Sequence, residues 1–312
     1  MIEARNLTKD YGDKRAVDDL TFDVRPGVVT GFLGPNGSGK STTIRLILGL
    51  DAPSGGDVTV NGKHYRDLPA PLHEVGALLE ARSVHSGRSA YNHLLALAQT
   101  HGLPRRRVDE LIDLVGLHDV AGKRVGQFSL GMGQRLGIAS ALLGDPSTLV
   151  LDEPVNGLDP EGIHWIRNLL KSLAAEGRTV FVSSHLMSEM ALTAEQVIVI
   201  GRGRLITDIS VDEFVREASG KLVRVRSPRA SALRTILEAP GVTIAEGDDG
   251  LLEVNGLTSA QIGDAASEHG IAIHELTPQQ ASLEEAFMTL TREEIEFKPI
   301  VGVPEEKDEV AA

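Results

Sequence analysis

Residues 34–42 read GPNGSGKST and fit the spacing G-x-x-x-x-G-K-[ST], which is typical of a loop that binds phosphate. Its glycines lack a Cβ, so the chain can turn tightly and point backbone N–H groups inward. Those N–H groups, with the N-terminus of a following helix, form a cradle for phosphate oxygens. We expect Lys40 to reach the β- and γ-phosphates and Ser41 to offer a hydroxyl to Mg²⁺. The predicted nucleotide contacts are Gly34, Pro35, Asn36, Gly37, Ser38, Gly39, Lys40, Ser41 and Thr42.

A second set of chemical groups is the pair of acids that ends LVLDEP at 149–154. The apolar run predicts a buried strand, so Asp152 and Glu153 should lie at the carboxyl edge of a sheet, where α/β proteins bind ligands. Asp152 suits Mg²⁺, and Glu153 suits polarising the water that attacks the γ-phosphorus. Two acids after a strand are otherwise explained by a helix cap or a solvated loop. The phosphate loop upstream favours the catalytic interpretation.

The segments around these residues predict an α/β fold. VVTGFL at 28–33 indicates a buried strand, and STTIRLILGL at 41–50 indicates a helix with an apolar face. Further strands alternate with helices up to about residue 206, which favours a mixed, parallel-rich sheet. Residues 81–140 predict a mostly helical insertion. Asn61-Gly62 after a short strand is a hairpin signal.

The chain from about residue 220 has a different pattern. Its elements follow the order β-α-β-β-α-β, with IAIHEL at 271–276 as the last strand, which suggests a small α+β ferredoxin-like unit. A closing helix follows, SLEEAFMTLT, with a capping box formed by Ser282 and Glu285. We therefore predict a nucleotide-binding domain at 1–219, an accessory domain at 220–297 and an acidic disordered tail at 298–312.

Composition excludes several function classes. The net charge of the 312-residue chain is -13, which argues against a nucleic-acid partner because such binders need a basic face. There is no cysteine, so disulfides, thiol metal sites and cysteine nucleophiles are excluded. No apolar run reaches the roughly 18 residues that a membrane-spanning helix requires. The arginine run at 105–107 predicts a solvated face, with contact to a partner or anionic lipid as the alternative.

Four further motifs give a resemblance to a known family. FSLGMGQR at 128–135 is similar to the signature of the nucleotide-binding subunits of ATP-binding-cassette (ABC) transporters, and GLDP at 157–160 is similar to their D-loop. His185 follows the strand TVFVSS at the position of their switch histidine, and Tyr11 falls where they stack an aromatic ring on adenine. The resemblance covers roughly residues 2–215, with the motifs in family order.

The resemblance implies roles for these residues. Ser129 and Gly131 fall at the phosphate-contacting positions of the signature, and Asp159 at the Asp of the D-loop. Glu153, His185 and Lys40 are then the catalytic residues, with Ser41, Asp152 and Glu80 toward Mg²⁺. Family members pair head to tail, so ATP held by one phosphate loop meets the signature of the second copy. We expect a homodimer with ATP at its interface.

Three departures point to one branch of the family. Leu130 stands where the signature usually has glycine, Met132 where it has glutamine, and Glu80 where a metal- and water-contacting glutamine is usual. With the extra C-terminal unit, they resemble ATPase subunits of bacitracin- and daunorubicin-type multidrug exporters. Such subunits lie on the cytoplasmic face of the membrane, bound to a separate permease of the ABC-2 type.

We therefore expect a cytoplasmic, peripheral ATPase that drives export of a drug-like, hydrophobic or amphipathic compound. Residues 81–93 are the expected permease-facing surface. Two alternatives stay open. One is a soluble cassette ATPase without a permease, such as a translation or DNA-repair protein, although we count one phosphate loop and no long heptad run. The other is an ATP-sensing regulatory module in which Glu80 and the altered signature have reduced turnover.

Overall fold

The structure, a computed structural model, describes residues 1–80, 84–219, 222–279 and 283–291. Within these residues the strands form three sheets. The strands are β1 (Ile2–Tyr11), β2 (Lys14–Val24), β3 (Val29–Leu33), β4 (Gly55–Val60), β5 (Val75–Leu78), β6 (Thr148–Asp152), β7 (Thr179–Ser183), β8 (Gln196–Gly201), β9 (Arg204–Ser210), β10 (Leu222–Arg226), β11 (Thr243–Glu246), β12 (Leu251–Asn255) and β13 (Glu275–Pro278). The helices are α1 (Lys40–Ile47), α2 (Pro71–Glu74), α3 (Ala90–Thr100), α4 (Arg105–Leu114), α5 (Leu130–Ala141), α6 (Pro160–Ala175), α7 (Met187–Thr193), α8 (Val211–Ser219), α9 (Ala230–Leu237), α10 (Ser259–Glu268) and α11 (Leu283–Thr291).

The central sheet has six strands in the order β5-β6-β7-β3-β8-β9. All neighbours are parallel except the edge strand β9, which pairs antiparallel with β8. Every residue of β3 and β7 is buried, as expected for parallel strands covered by helices on both faces. The predicted mixed α/β sheet is therefore confirmed. Its carboxyl edge carries the phosphate loop after β3, the acids after β6 and His185 after β7.

A three-stranded antiparallel sheet, in the order β2-β1-β4, packs beside the central sheet. The alternating apolar residues of β2 point into this core, where Leu20 and Val24 are fully buried. The predicted turn at Asn61-Gly62 is confirmed: both residues have positive φ, and Val60 and Lys63 exchange backbone hydrogen bonds across it. The hairpin ends at this single bridge, and β4 pairs along its length with β1.

Helices α3, α4 and α5 form the helical part that the sequence predicts at 81–140. They share one apolar core, which includes Leu94, Leu111 and Leu136. Residues 81–83, the first of the expected permease-facing surface, lie outside the described residues. The arginine run begins α4, and its side chains bond within the chain: Arg105 to the Tyr91 hydroxyl and Arg107 to the Leu142 carbonyl.

The C-terminal strands form an antiparallel sheet in the order β11-β12-β10-β13, and α9 and α10 cover one face of it. The last strand does not lie at 271–276 as predicted: β13 spans Glu275–Pro278, because the register that pairs it with β10 begins at Glu275. Helix α11 then returns to the first part of the chain, where Leu283 and Phe287 join the core against α7 and α8. Ser282 of the predicted capping box and the tail at 298–312 lie outside the described residues.

Candidate functional site

The phosphate loop between β3 and α1 can adopt its path only because two of its residues are glycines. A Cβ on Gly34 would lie 2.4 Å from Ser38 Oγ and 2.6 Å from the Ile200 carbonyl. Gly39 has a φ of 104°, and a Cβ there would lie 2.5 Å from the Ala16 carbonyl. The loop is thus pressed against β2 and β8, and its exposed side faces a pocket.

That pocket has a volume of about 500 Å³ and is polar at its base. Of the predicted nucleotide contacts, Gly34, Pro35 and Ser38 do not line it and instead shape the loop behind it. The residues that line the pocket are Tyr11, Lys14, Ala16, Asn36, Gly37, Gly39, Lys40, Ser41, Thr42, Asp152 and Glu153. The structure therefore brings the adenine-stacking candidate, the phosphate loop and both acids to one cavity.

Lys40 is held inside the loop. Its Nζ donates to the carbonyls of Gly34 at 2.6 Å and Pro35 at 3.1 Å. Burial lowers the pKa of the Lys40 ammonium, and the nearby carboxylates of Glu153 and Asp152 oppose that shift. A cation that has already lost much of its hydration gains from a phosphate anion without further desolvation. Its position suits the γ-phosphate contact that the sequence predicts.

Ser41 and Asp152 come together at the base of the pocket. The Ser41 hydroxyl donates to Asp152 Oδ2 at 3.2 Å, and the Ser183 hydroxyl donates to Asp152 Oδ1. A hydroxyl beside a carboxylate is the oxygen-rich donor set that Mg²⁺ prefers. Across the described residues no cluster of three or more His, Asp or Glu side chains could hold a metal by itself. Mg²⁺ is usually bound by one or two carboxylates together with substrate phosphates.

Glu80, the third predicted metal residue, follows the strand next to the one that carries Asp152. It is exposed beyond the end of β5, the strand next to β6, and it does not line the pocket. The sequence predicts Glu80 as a metal residue. In the structure Glu80 lies at the same sheet edge as Asp152 but does not line the cavity.

Glu153 and His185 contact each other directly. His185 Nδ1 lies 2.7 Å from Glu153 Oε2, and the His185 backbone N–H donates to the same oxygen at 3.3 Å. Glu153 has a φ of 50°, a conformation that is uncommon for a residue with a side chain. The geometry thus pairs the expected base with the expected switch histidine.

Tyr11 is tethered by residues that sequence reasoning missed. Its hydroxyl donates to Asp51 Oδ2 at 2.7 Å, and Arg45 Nε donates to the same oxygen at 2.8 Å. Lys9 Nζ lies 4.9 Å from the centre of the ring. The hydrogen bond raises the pKa of Tyr11, whereas Arg45 and then Tyr11 lower the pKa of Asp51 to about 2. Tyr11 as a whole is 47% exposed and is held by its hydroxyl, so the part of its ring that Lys9 does not cover is available for stacking.

The signature residues belong to a different surface. Ser129, Leu130 and Phe128 line a second pocket of about 360 Å³, and the two pockets share no residue. Ser129 caps α5 by accepting from the Met132 N–H, and Asp159 caps α6 by accepting from the Gly162 N–H. One chain therefore does not bring the signature and the phosphate loop together.

Leu130, the departure from the family signature, packs on the D-loop of the same chain. A Cβ on Gly157 would lie 2.4 Å from Leu130 Cγ, and a Cβ on Gly131 would lie 2.6 Å from the Gly157 carbonyl. Both glycines are thus required where the start of α5 meets this loop. The signature and D-loop motifs do not by themselves predict the contact between Leu130 and Gly157, because the two residues are far apart in the sequence.

Together, the phosphate loop, the paired acids and the histidine on one sheet edge define a P-loop nucleotide-binding cassette. A family model described as "ABC transporter" matches residues 17–156, and one described as a domain of unknown function (DUF8746) matches residues 221–284.

Full-length relatives support the same class. An uncharacterized ABC transporter ATP-binding protein of Bacillus subtilis (strain 168) is 38% identical over 99% of this chain and 98% of its own length. The bacitracin transport ATP-binding protein BcrA of Bacillus licheniformis is 36% identical over 93% of this chain and 97% of its own length. A solved dimer of the ATP-binding cassette MJ0796, bound to ADP and Pi, is 25% identical with a TM-score of 0.62 over 68% of this chain and 99% of that one.

The chain therefore belongs to the ABC transporter family and is an ATP-binding subunit. In the part of the chain that the structure describes, no helix is both long and apolar enough to cross a membrane.

Proposed function

We propose that this chain hydrolyses ATP to power export of a drug-like, hydrophobic or amphipathic compound through a separate membrane permease. The observation that carries the proposal is the convergence of Lys40, Asp152 and Glu153 on one pocket of about 500 Å³. The relative that transports bacitracin matches 93% of the chain, which favours a transport subunit over a soluble cassette of another function.

Most of the residues that line the pocket have a proposed role. Tyr11 stacks on adenine, and the backbone N–H groups from Asn36 to Thr42 cradle the phosphates. Lys40 neutralises charge on the γ-phosphate. Ser41 and Asp152 would hold Mg²⁺, which when bound would supply positive charge against the phosphates. Glu80 is the third proposed metal residue, although it does not line the cavity.

Glu153 is the proposed general base. Its Oε2 accepts from His185, which fixes the carboxylate in one orientation and leaves the second oxygen for the proton of the attacking water. The imidazole of His185, which bonds to Glu153 through Nδ1, is also proposed to contact the γ-phosphate. Charge on the transferring phosphoryl group is then met by Lys40 and His185 together.

The site within one chain is a half-site. Ser129 lines the second pocket, which shares no residue with the phosphate pocket, and neither Gly131 nor Asp159 lines the phosphate pocket. These three residues are therefore proposed to serve the nucleotide of a second copy. ATP then stabilises the closed homodimer, and its hydrolysis lets the dimer open. The dimer of the similar cassette MJ0796, whose description names ADP and Pi, supports this arrangement.

A permease of the ABC-2 type is the proposed membrane partner, and it would hold the chain at the cytoplasmic face. The second pocket supports this, because Val84 and Ser86 of the expected permease-facing stretch line it together with Phe128. Its mixed apolar and polar lining next to the signature suits a short protein segment that would move when the dimer closes.

The experiment is steady-state hydrolysis by the full chain and its Glu153→Gln variant. Removing a general base should lower kcat by about 10²- to 10⁴-fold while ATP still binds. Glu110→Gln, the same change on an exposed side chain of α4, is the matched control and should hydrolyse like the wild type. Wild-type turnover by Glu153→Gln would overturn the base assignment, and no hydrolysis by the wild type, alone or with a permease, would favour an ATP sensor.

A further inference from the structure

Glu153 has a backbone conformation that needs outside support. Its φ of 50° lies in the left-handed region, which a residue with a Cβ adopts only at an energetic cost. Glycine would adopt this conformation freely, but the residue here is glutamate. Strained residues of this kind persist only where the surroundings over-determine them. The hydrogen bonds that hold the Glu153 backbone in this conformation therefore help to determine the direction of its carboxylate.

The backbone of Glu153 is held from two sides. Its N–H donates to the Ser183 hydroxyl at 3.0 Å. Its carbonyl accepts from the Asn156 N–H at 3.2 Å and from Gln134 Nε2 at 2.9 Å. Ser183 and Asn156 belong to the same sheet edge and the same turn as Glu153, whereas Gln134 reaches in from α5.

Gln134 is placed for this one contact. It is 3% exposed, although an amide is costly to bury unless it is bonded. The side chain of the next residue, Arg135, has different partners: it donates to the Val115 carbonyl, and its Cζ lies 4.8 Å from the centre of the Trp165 ring. Gln134 does not line the nucleotide pocket, but it bonds to Glu153, which does.

We propose that Gln134 is a positioning residue for the base: its amide holds the Glu153 peptide in the left-handed conformation that aims the carboxylate. The inference rests on the proposed function of Glu153. It also gives α5 two roles. The helix begins at Ser129, which serves the nucleotide of the second copy, and little more than one turn later it fixes the base of its own chain.

The first test separates turnover from binding. Gln134→Met removes the amide but keeps a similar side-chain volume. Loss of the hydrogen bond, together with the slight misplacement of the base that follows, should lower kcat about ten- to a hundredfold. The KM for ATP should change less than about twofold, because the residue lies outside the pocket. Ser140→Ala is the control: it deletes a hydroxyl of the same helix that bonds only to the Leu136 carbonyl, and it should leave kcat unchanged.

The second test uses mixed dimers in which one base is active. In the cis dimer, one copy carries Gln134→Met and the other carries Glu153→Gln. In the trans dimer, one copy is wild type and the other carries both substitutions. Single-turnover hydrolysis should be about tenfold or more slower in the cis dimer than in the trans dimer. Equal rates, or a slower trans dimer, would overturn the inference, since the amide would then act through the signature.

Two further measurements keep the outcome decisive. If Gln134→Met does not fold, Gln134→Leu replaces it, because an apolar side chain can be buried at this position without a bond and cannot donate. The homodimer of Glu153→Gln is measured beside both. Wild-type turnover in that homodimer would reject the proposed base itself, whereas an inactive Glu153→Gln with full turnover in the Gln134 variants would reject only this inference.

Discussion

The contact between Leu130 and Gly157 predicts a strong coupling between two substitutions. Gly157 has a φ of 74°, so an alanine there meets the left-handed penalty of about 1–2 kcal/mol. Its Cβ would also lie 2.4 Å from Leu130 Cγ, 2.5 Å from Cδ2 and 3.0 Å from Cβ, which is an overpacked contact of about 1–3 kcal/mol. Gly157→Ala should therefore destabilise the wild type by about 2–5 kcal/mol.

Shortening Leu130 should remove the steric part of that cost. In a Leu130→Gly background, Gly157→Ala should cost only the left-handed penalty of about 1–2 kcal/mol, so the coupling is about 1–3 kcal/mol. Leu130→Ala should give an intermediate value, because its Cβ keeps the 3.0 Å contact. The assay is urea unfolding of each full-length variant, followed by fluorescence of the single tryptophan, Trp165, on α6.

A matched control separates strain from packing. Gly62 has a φ of 78° and open space around a built Cβ, so Gly62→Ala should cost about 1–2 kcal/mol in both backgrounds. Costs of Gly157→Ala that agree within about 0.5 kcal/mol with and without Leu130 would refute the reasoning, since independent sites are additive to that extent. The signature and D-loop would then not be packed together as the structure describes.

Three other predictions concern the nucleotide pocket. Asp51→Asn should lower stability by less than about 1 kcal/mol at pH 7, because the pair with Arg45 is partly exposed. The pKa of Asp51 is depressed to about 2, so the stability difference between Asp51→Asn and the wild type should be full above pH ~4 and should vanish as the pH falls through about 2. A stability difference that grows on acidification would contradict the assignment. Under the proposed metal role of Glu80, Glu80→Gln should change the pH–rate profile of hydrolysis, because an ionisable carboxyl group is replaced by a neutral amide, and superimposable profiles would show that the charge of Glu80 has no part in hydrolysis. Lys40→Ala should weaken ATP binding at least about tenfold by equilibrium titration, whereas Lys171→Ala, an exposed lysine of α6, should not, and equal affinities would reject the phosphate cradle.

The parts of the site that follow from local sequence were predicted well. The phosphate loop lies where its spacing places it, because glycine freedom and a short strand–loop–helix path are local properties. The strands that carry Asp152 and His185 were predictable from continuous apolar runs. Their adjacency at one edge then follows from the parallel order of β6, β7 and β3.

The parts that depend on distant pairing were not predictable. Asp51 lies 40 residues from Tyr11, and Gln134 lies 19 residues from Glu153, so no spacing rule connects either pair. The strand predicted at 271–276 was placed too early because alternation alone does not set register, which pairing with β10 fixes. Helix α7 was missed because seven residues are too short to show a clear helical period.

The most direct test of the half-site account is the mass of the Glu153→Gln chain in solution with nucleotide. Light scattering should show a monomer without nucleotide or with ADP, and a dimer of twice the 33.3 kDa chain with ATP and Mg²⁺. Adding Ser129→Arg, which places a bulky side chain at the start of α5, should abolish the ATP-dependent dimer while one-to-one ATP binding persists. A chain that binds ATP and stays monomeric at every concentration, or a dimer that Ser129→Arg leaves intact, would contradict the account.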